Sequence, residues 1–466
     1  MSARPLPTVV DRPRLTVVGT GYLGATHAVC MAVLGYDVLG VDVDPHKVDL
    51  LNEGVVPFYE PGLPEKLQDA LASGRLRFTT DLDEAAVFGD VHFICVGTPQ
   101  KPGSDAADMT YVDSAFTELA RRISGRSLLV GKSTVPIGTA ARLTKMVQDI
   151  SPAGTDVEVA WNPEFLREGF AVKDTLHPDR LVFGVASEWA EAQLRAAFAP
   201  ILAEGTAVVV SDLATSELVK VAANSFLATK ISFINAMAEI CETTGADVNL
   251  LAQALSYDSR IGGRFLKPGL GFGGGCLPKD IRAFAHRADE LGVGQATAFL
   301  REVDDINERR RTRAVDLLRE LVGGDLRGKK IACLGAAFKP DSDDVRDAPA
   351  LNVAHMLHLE GAQVTVYDPV ALENARRKFP DLTYADSLIG AVEGADAVAL
   401  LTEWQEFRDA DPTALGAQVT HRRLLDARHA LDADAYRSAG WEVRAPGRPA
   451  LSRTVSLVSD VRDESA

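Results

Sequence analysis

The most specific chemical signal is a cysteine inside a glycine-rich segment, GLGFGGGCLPKD, at residues 269–280. Cys276 is a candidate nucleophile, because thiolates are intrinsically strong nucleophiles. Lys279 would favour the thiolate electrostatically, and Asp280 would orient a water molecule. No second Cys or His stands at ligand spacing, so the segment predicts no metal site. The alternative is an inert thiol on a glycine-rich turn.

Three further segments carry candidate polar groups. Lys220 and Asn224 are four residues apart, so they share one face of a predicted helix, although an exposed ion-pairing lysine is the alternative. The segment WNPEFLREG, Trp161–Gly169, holds two acids and one base and would also pass as a surface loop. Two loops, CVGTP at 95–99 and STVPIGT at 133–139, each follow a predicted strand. Loops at this end of the strands line the ligand crevice of an open α/β sheet. The alternative is a purely structural role for either loop.

A phosphate-binding turn precedes all of these groups. The motif GTGYLG places Gly19, Gly21 and Gly24 between a β-branched strand and a helix, and Asp42 closes the following strand. Gly19 suits a tight turn, Gly21 allows a pyrophosphate to approach, and Gly24 allows close packing of helix on sheet. The Asp42 carboxylate would accept hydrogen bonds from a ribose diol and repel a 2′-phosphate. The unit therefore predicts binding of NAD rather than NADP.

A dinucleotide fold combined with one cysteine in a polar segment suggests a particular reaction. An aldehyde captured by the thiol forms a thiohemiacetal, whose oxidation gives a thioester that water hydrolyses to an acid. Such chemistry needs a thiol, a cation near the developing oxyanion, and a positioned water with a base.

The alternation of strands and helices predicts the elements that position these groups. Strands near 91–96 and 127–132 extend a parallel, doubly wound sheet. One long helix is predicted from Leu213 to Thr244, preceded by Ser211-Asp212 as a candidate cap. From Lys329 the opening pattern repeats, although FKPDSDDVR replaces the glycine motif. The predicted fold is α/β, with two Rossmann-like doubly wound domains joined by a long central helix. The expected division is 1–210, 211–322, 323–448 and a flexible tail, 449–466.

Composition limits the class of protein. The 466 residues are 46% hydrophobic and carry a net charge of −16, which disfavours binding to nucleic acid or to anionic membranes. Four of the five cysteines stand in apolar stretches, as expected for buried thiols in a reducing compartment. The first residues lack the apolar run of a secretory signal, and no run is long enough to span a membrane. We therefore expect a cytoplasmic protein.

With GTGYLG, CVGTP, STVPIGT, NPEFLREG, KVAANSFLATKISF, DSRIGGRFLKPGLGFGGGCLPKD and FKPDSDDVR in this order, the chain strongly resembles the UDP-glucose/GDP-mannose dehydrogenase family. The resemblance implies oxidation of a sugar C6 alcohol to a carboxylate with two NAD+, through a thioester on Cys276. It implies that Lys220 and Asn224 steady the oxygen at C6. It also implies that Asp280 and Thr134 hold a water and that Glu164 is the acid/base of the thioester stage.

The resemblance further implies binding residues and a homodimer built on the long helix. The implied NAD contacts are Gly19, Gly21, Tyr22, Leu23, Asp42, Lys47, Thr98, Thr134, Glu168, Lys279 and Arg346. The implied sugar-nucleotide contacts are Glu164, Phe165, Leu166, Arg167, Lys220, Asn224, Lys267, Phe272, Gly273 and Lys339, with Arg260 directed to the neighbouring subunit's sugar. UDP-glucose is the favoured substrate, and GDP-mannose and UDP-N-acetylmannosamine remain open, as does a catalytically silent nucleotide-binding protein.

Overall fold

The computed structural model describes residues 12–449. The predicted tail therefore lies outside the described residues, apart from Pro449. No helix in the described part of the chain is long and apolar enough to cross a membrane.

The N-terminal unit is an eight-stranded sheet with helices on both faces. Its strands are β1 (Leu15–Val18), β2 (Val38–Val41), β3 (Leu76–Thr79), β4 (Val91–Ile94), β5 (Ser127–Gly131), β6 (Val157–Trp161), β7 (Arg180–Gly184) and β8 (Ala207–Ser211). Its helices are α1 (Tyr22–Val33), α2 (Pro45–Asn52), α3 (Leu63–Ala72), α4 (Leu82–Phe88), α5 (Thr110–Ala120), α6 (Thr139–Ile150), α7 (Ala171–Leu176), α8 (Glu188–Ala197) and α9 (Ala199–Ala203).

The strand order of this sheet is β3-β2-β1-β4-β5-β6-β7-β8. Its first six strands have the order of a dinucleotide-binding sheet, and two apolar clusters fill its two faces. The predicted parallel sheet is confirmed except at one pair, since β6 and β7 meet antiparallel through Trp161 and Gly184.

The central region consists of helices. They are α10 (Leu213–Thr244), α11 (Val248–Ser256), α12 (Leu277–Glu290) and α13 (Phe299–Leu321). The 32-residue α10 begins and ends where the sequence predicts, because Asp212 accepts a hydrogen bond from the Thr215 amide and Gly245 adopts a left-handed conformation. The glycine-rich segment 269–280, called the nucleophile segment below, follows α11 and ends in the first turn of α12.

The C-terminal unit repeats the first architecture on a smaller scale. Its strands are β9 (Lys330–Leu334), β10 (Gln363–Tyr367), β11 (Thr383–Tyr384), β12 (Ala397–Leu400), β13 (Arg423–Asp426) and β14 (Glu442–Arg444). Its helices are α14 (Pro349–Leu359), α15 (Leu372–Lys378), α16 (Leu388–Val392), α17 (Gln405–Arg408), α18 (Pro412–Gly416) and α19 (Ala433–Ser438). The order β11-β10-β9-β12-β13-β14 is fully parallel, which confirms a second Rossmann-like unit.

Candidate active site

The candidate nucleophile stands at the start of α12. Cys276 is the N-cap residue of this helix, and its side chain makes no capping hydrogen bond. It is solvent-exposed, whereas the other four cysteines are buried, as the sequence predicts. Protein still surrounds the thiol densely, so burial and then the carboxylates of Asp280 and Glu164 raise its pKa to about 11. Lys220 and Lys279 act in the opposite direction but do not prevail.

An ion pair between Lys220 and Glu164 lies close enough to the thiol to act on its pKa. Lys220 on α10 is buried, and its Nζ lies 3.3 Å from the Oε1 of Glu164. Burial alone would lower the pKa of this ammonium, but the charges of Glu164, Cys276 and Asp280 outweigh it and raise the pKa. Lys220 is therefore a buried cation and not an exposed surface lysine. A fixed positive charge at this place suits an oxygen that gains negative charge.

A second polar chain links α10 to α12. The Nδ2 of Asn224 donates to the Oδ2 of Asp280 at 2.6 Å, and the Nζ of Lys279 donates to its Oδ1 at 2.5 Å. Asp280 is only 3% exposed and is one turn along α12 from Cys276. The sequence alone places Asn224 on a different element from Lys279 and Asp280. The fold brings all three together beside the thiol.

A cleft opens next to these residues and connects them to loops of the N-terminal sheet. Thr98 and Thr134, from the loops that follow β4 and β5, line it together with Lys279 and Asp280. The Ser133 hydroxyl donates to the Val96 carbonyl at 2.6 Å, which fixes the two loops to each other. The predicted water-holding pair, Thr134 and Asp280, therefore faces one shared space.

The loop between β6 and α7 directs some side chains toward Lys220 and others toward solvent. Phe165 lies between two cations, with the Nζ of Lys220 at 5.4 Å and the Cζ of Arg180 at 3.8 Å from its ring centre. The Leu166 amide donates to the Oε2 of Glu164 at 2.7 Å, which holds that carboxylate toward Lys220. Arg167 instead points outward and forms two hydrogen bonds with Asp174.

Glu60, which is not among the residues predicted from the sequence, anchors this loop. Its buried carboxylate accepts from the Gly169 and Ala171 amides, both at 2.7 Å, and from the Tyr22 hydroxyl. Tyr22, an implied NAD contact, thus also supports the loop between β6 and α7, since the Gly169 amide donates to its hydroxyl oxygen at 3.0 Å. Glu60 stands in FYEPG, where no periodicity marks it, so only the three-dimensional contact reveals its role.

The segment FKPDSDDVR of the C-terminal unit closes over the same loop. Lys339 donates to the Glu168 carbonyl, while the Ser342 hydroxyl and the Arg346 guanidinium donate to the Glu168 carboxylate at 2.9 and 3.2 Å. Burial and the neighbouring Asp344 raise the pKa of Glu168 to about 7, against the lowering effect of Arg346, Ser342 and Lys339. Glu168 is thus the meeting point of the two units.

The glycine turn fits a dinucleotide. Gly19 has φ +88°, and a β-carbon there would lie 2.7 Å from the Cγ1 of Val96. A β-carbon on Gly24 would lie 1.8 Å from the Gly19 carbonyl oxygen, so both positions require glycine. A β-carbon on Gly21 would meet nothing within 4 Å, which leaves open space at the N-terminus of α1, beside Leu23. A pyrophosphate fits such a space, because the first amides of a helix attract anions.

Asp42 directly follows β2, and hydrogen bonds hold its carboxylate in place. Its Oδ2 accepts from the Thr20 amide at 2.8 Å and from the Nζ of Lys47 at 2.9 Å. Burial alone would raise the pKa of this carboxyl, but Lys47 and the backbone donors of Asp44 and Thr20 outweigh it and lower the pKa. Within the described residues its Oδ1 accepts only from the Asp44 amide, at 3.2 Å. That oxygen can accept a further donor, such as a ribose hydroxyl.

Four of the implied substrate residues make no contact described above with the residues around Cys276. Two of them are packed into the protein, and two are exposed. The Phe272 side chain is buried among Ala228, Ile281 and Val303, so it supports the nucleophile segment from below. A β-carbon on Gly273 would lie 2.3 Å from the Asp347 carbonyl oxygen. Arg260 and Lys267 are both exposed, and Arg260 forms an ion pair with Asp258 at 2.6 Å.

Family models match three consecutive parts of the chain. They describe the NAD binding domain at residues 13–202, the central domain at 214–309 and the UDP binding domain at 332–433 of one family. The chain belongs to the UDP-glucose/GDP-mannose dehydrogenase family. The N-terminal unit is accordingly its NAD-binding domain, and the expectation drawn from the motifs is confirmed.

Similar proteins span nearly the whole chain. A UDP-glucose 6-dehydrogenase from Rhizobium meliloti is 40% identical over 438 residues, which is 94% of this chain and 100% of the relative. One from Bacillus subtilis is 38% identical over 95% of this chain and 94% of its own. The solved structure of a UDP-glucose dehydrogenase from Pyrobaculum islandicum has a TM-score of 0.85 at 37% identity, covering 94% and 100% of the two chains.

Proposed function

We propose that this protein oxidises the C6 hydroxymethyl group of UDP-glucose to a carboxylate, giving UDP-glucuronate. One UDP-glucose, one water and two NAD+ give one UDP-glucuronate, two NADH and protons. Bound NAD+ supplies a hydride acceptor for each of the two oxidations. The observation that carries the proposal is the exposed thiol of Cys276, which lies among a buried cation, a buried amide and a buried carboxylate.

In the first oxidation the chain's own residues orient C6 and handle one proton. The buried Lys220 ammonium and the Asn224 amide stabilise the C6 oxygen. Asp280 accepts the proton of the alcohol through a water molecule held with Thr134, because both side chains line the cleft. This stage requires no covalent bond to the protein.

In the second oxidation the thiol adds to the aldehyde carbon. The Cys276 sulfur forms a bond to C6, the carbonyl oxygen becomes the thiohemiacetal hydroxyl, and Lys220 stabilises the negative charge that develops on it. Loss of a hydride and of the hydroxyl proton leaves a thioester. Water then attacks this carbon, the carbon–sulfur bond breaks, and Glu164 moves the protons between water and the leaving sulfur.

The implied binding residues fit this division of labour. Most of the residues that would hold NAD lie within 1–210, and Lys279 and Arg346 come from the two following regions. The full set is Gly19, Gly21, Tyr22, Leu23, Asp42, Lys47, Thr98, Thr134, Glu168, Lys279 and Arg346. The sugar nucleotide would contact the loop from Glu164 to Gly169, the 211–322 region and Lys339 of the 323–448 unit. The open space at Gly21 and the accepting oxygen of Asp42 support the cofactor assignment.

The functional unit is a homodimer built on α10. Phe226, Phe233 and Ile240 are exposed and follow each other at seven-residue spacing, so they form one apolar stripe along the helix. Large contiguous apolar surface on a helix favours a protein partner, and a second copy satisfies it symmetrically. Arg260 lies exposed and would then reach the neighbouring subunit's sugar. The reactive thiol requires a reducing compartment, which supports a cytoplasmic protein.

A panel of nucleotide sugars tests the proposal. Purified protein is mixed with NAD+ and UDP-glucose, UDP-N-acetylmannosamine or GDP-mannose, and NADH is followed by absorbance. We expect turnover with UDP-glucose. Turnover of another sugar without UDP-glucose would reassign the substrate, and a solved structure of a UDP-D-ManNAc dehydrogenase with a TM-score of 0.82 and 28% identity makes that sugar a necessary part of the panel. Binding without any NADH would indicate a catalytically silent protein.

A further inference from the structure

The residue before the nucleophile provides space for an arginine from another unit of the fold. A β-carbon on Gly275 would lie 2.2 Å from the Cζ of Arg346 and 2.5 Å from each of its two Nη atoms. The backbone φ of Gly275 is not in the left-handed region, so conformation alone does not require glycine here. The guanidinium therefore occupies the volume that any other residue's side chain would fill.

Hydrogen bonds and ion pairs hold this arrangement. The Gly274 amide donates to the Arg346 carbonyl at 2.9 Å, and the Gly275 amide donates to the Oδ2 of Asp344 at 3.3 Å. Asp344 also accepts two hydrogen bonds from the Arg346 guanidinium, at 2.7 and 2.9 Å. Arg346 then reaches across to the Oε1 of Glu168 at 3.2 Å. One guanidinium thus contacts the nucleophile segment, the C-terminal unit and the N-terminal unit.

We propose that Gly275 is a positioning residue for the reaction, because its missing β-carbon allows the Arg346 guanidinium to lie beside Cys276 and to reach Glu168. The inference rests on the proposed function, in which Arg346 contacts NAD. The Arg346 side chain is 63% exposed, but protein surrounds its guanidinium closely enough to lower the pKa by desolvation. Asp344, Glu168 and the charge of the Cys276 thiolate outweigh this effect and raise the pKa, in agreement with this placement.

The geometry makes a substitution at this position informative. The atoms that an added β-carbon would meet are the far end of a flexible side chain, which can move without disturbing the backbone. Gly275→Ala should therefore leave the midpoint of thermal unfolding within about 2 °C of wild type, while the guanidinium is displaced. Gly125→Ala is the matched control, because Gly125 also lacks a left-handed φ and its β-carbon would meet nothing within 4 Å.

Two readouts then test the positioning role. In Gly275→Ala the KM for NAD+ should rise about tenfold, the cost of one displaced charge-assisted hydrogen bond, while Gly125→Ala stays at wild type. In the ligand-free protein at pH 8, alkylation of Cys276 by iodoacetamide should slow about threefold, the order of magnitude expected when one neighbouring unit charge moves away in water. The alkylation needs no turnover, so its failure is separate from failure of the proposed reaction, which wild-type activity on UDP-glucose reports.

The double substitution decides whether the effect passes through Arg346. Arg346→Ala should reproduce both changes, and adding Gly275→Ala should change neither further, because the β-carbon then has free space. Wild-type KM and alkylation in Gly275→Ala would overturn the proposal. The proposal would also be overturned if the changes in KM and in alkylation rate multiply in the double variant. A loss of folding in Gly275→Ala that persists in the double variant would overturn it as well.

Discussion

Neutralising Asp280 should move two properties of the active site in opposite directions. Asp280 follows Cys276 by four residues at the start of α12, a spacing that puts their side chains about 5–6 Å apart. Its carboxylate is the largest charge that raises the pKa of the thiol, which reaches about 11. Asp280→Asn should therefore lower the pKa of Cys276 and make the thiol more reactive, although the variant loses a residue that handles the substrate proton.

The size of the effect follows from the separation of the charges. Two unit charges about 6 Å apart interact by about 0.7 kcal/mol in water and by about 2.8 kcal/mol at an effective dielectric constant of 20. The thiol is exposed on one side and Asp280 is buried, so a value near 1.4 kcal/mol, or about tenfold, lies between these limits. At pH 8 a thiol with a pKa of about 11 is about 0.1% ionised, and the variant should be about 1% ionised.

The assay is alkylation of the ligand-free protein by iodoacetamide, with the modified cysteine identified by peptide mass. Because the other four cysteines are buried, Cys276 should be the labelled residue. Asp280→Asn should label about ten times faster than wild type at pH 8, while its turnover of UDP-glucose falls at least about 100-fold. Lys279→Met should label more slowly, since that ammonium lowers the thiol pKa.

Glu290→Gln is the matched control, because it removes the same charge from the far end of the same helix. Labelling of Asp280→Asn at the wild-type rate or slower would refute the electrostatic reasoning. Wild-type turnover in that variant would refute the catalytic role.

Three other predictions concern cofactor choice, pH and assembly. Asp42→Ala should raise the KM for NAD+ and reduce the preference over NADP+, measured as the ratio of kcat/KM values; an unchanged ratio would contradict the ribose assignment. The pKa of Glu168 rises from 4.5 to about 7 on folding, so ionisation costs the native state stability as the pH rises through that interval. The unfolding free energy of Glu168→Gln relative to wild type should therefore increase by about 2 kcal/mol from pH 5 to pH 8 in denaturant titrations, whereas a constant difference would contradict the shift. Phe226→Asp should give a monomer by light scattering if the apolar stripe on α10 is the dimer contact, and a retained dimer would place the contact elsewhere.

Local sequence signals account for the elements of the fold. Asp212 and Gly245 mark both ends of α10, because capping side chains and left-handed glycines act within a few residues of the helix they bound. The glycine turn after β1 and the acidic residue after β2 are equally local. The antiparallel pairing of β6 with β7 rests on a single pair of facing residues, and no alternation in the sequence signals it.

The contacts of the site depend on packing between distant parts of the chain, so the sequence predicts them less well. The sequence of α10 alone is also compatible with an exposed Lys220. The folded chain buries this lysine and places Glu164 beside it. Glu60 acts on amides more than 100 residues away. Gly275 and Arg346 stand in segments that the sequence treats separately, and their shared volume exists only in the folded chain. The residue roles taken from the family remain predictions for this chain.

The ratio of NADH formed to sugar consumed is the most direct test of the proposed four-electron oxidation through the Cys276 thiol. A limiting, known amount of UDP-glucose is converted to completion with excess NAD+, and the product is identified by mass. Wild-type protein should give two NADH per sugar and the uronic acid, whereas Cys276→Ala should form no uronic acid. One NADH per sugar in wild type, or normal acid formation by Cys276→Ala, would contradict the account.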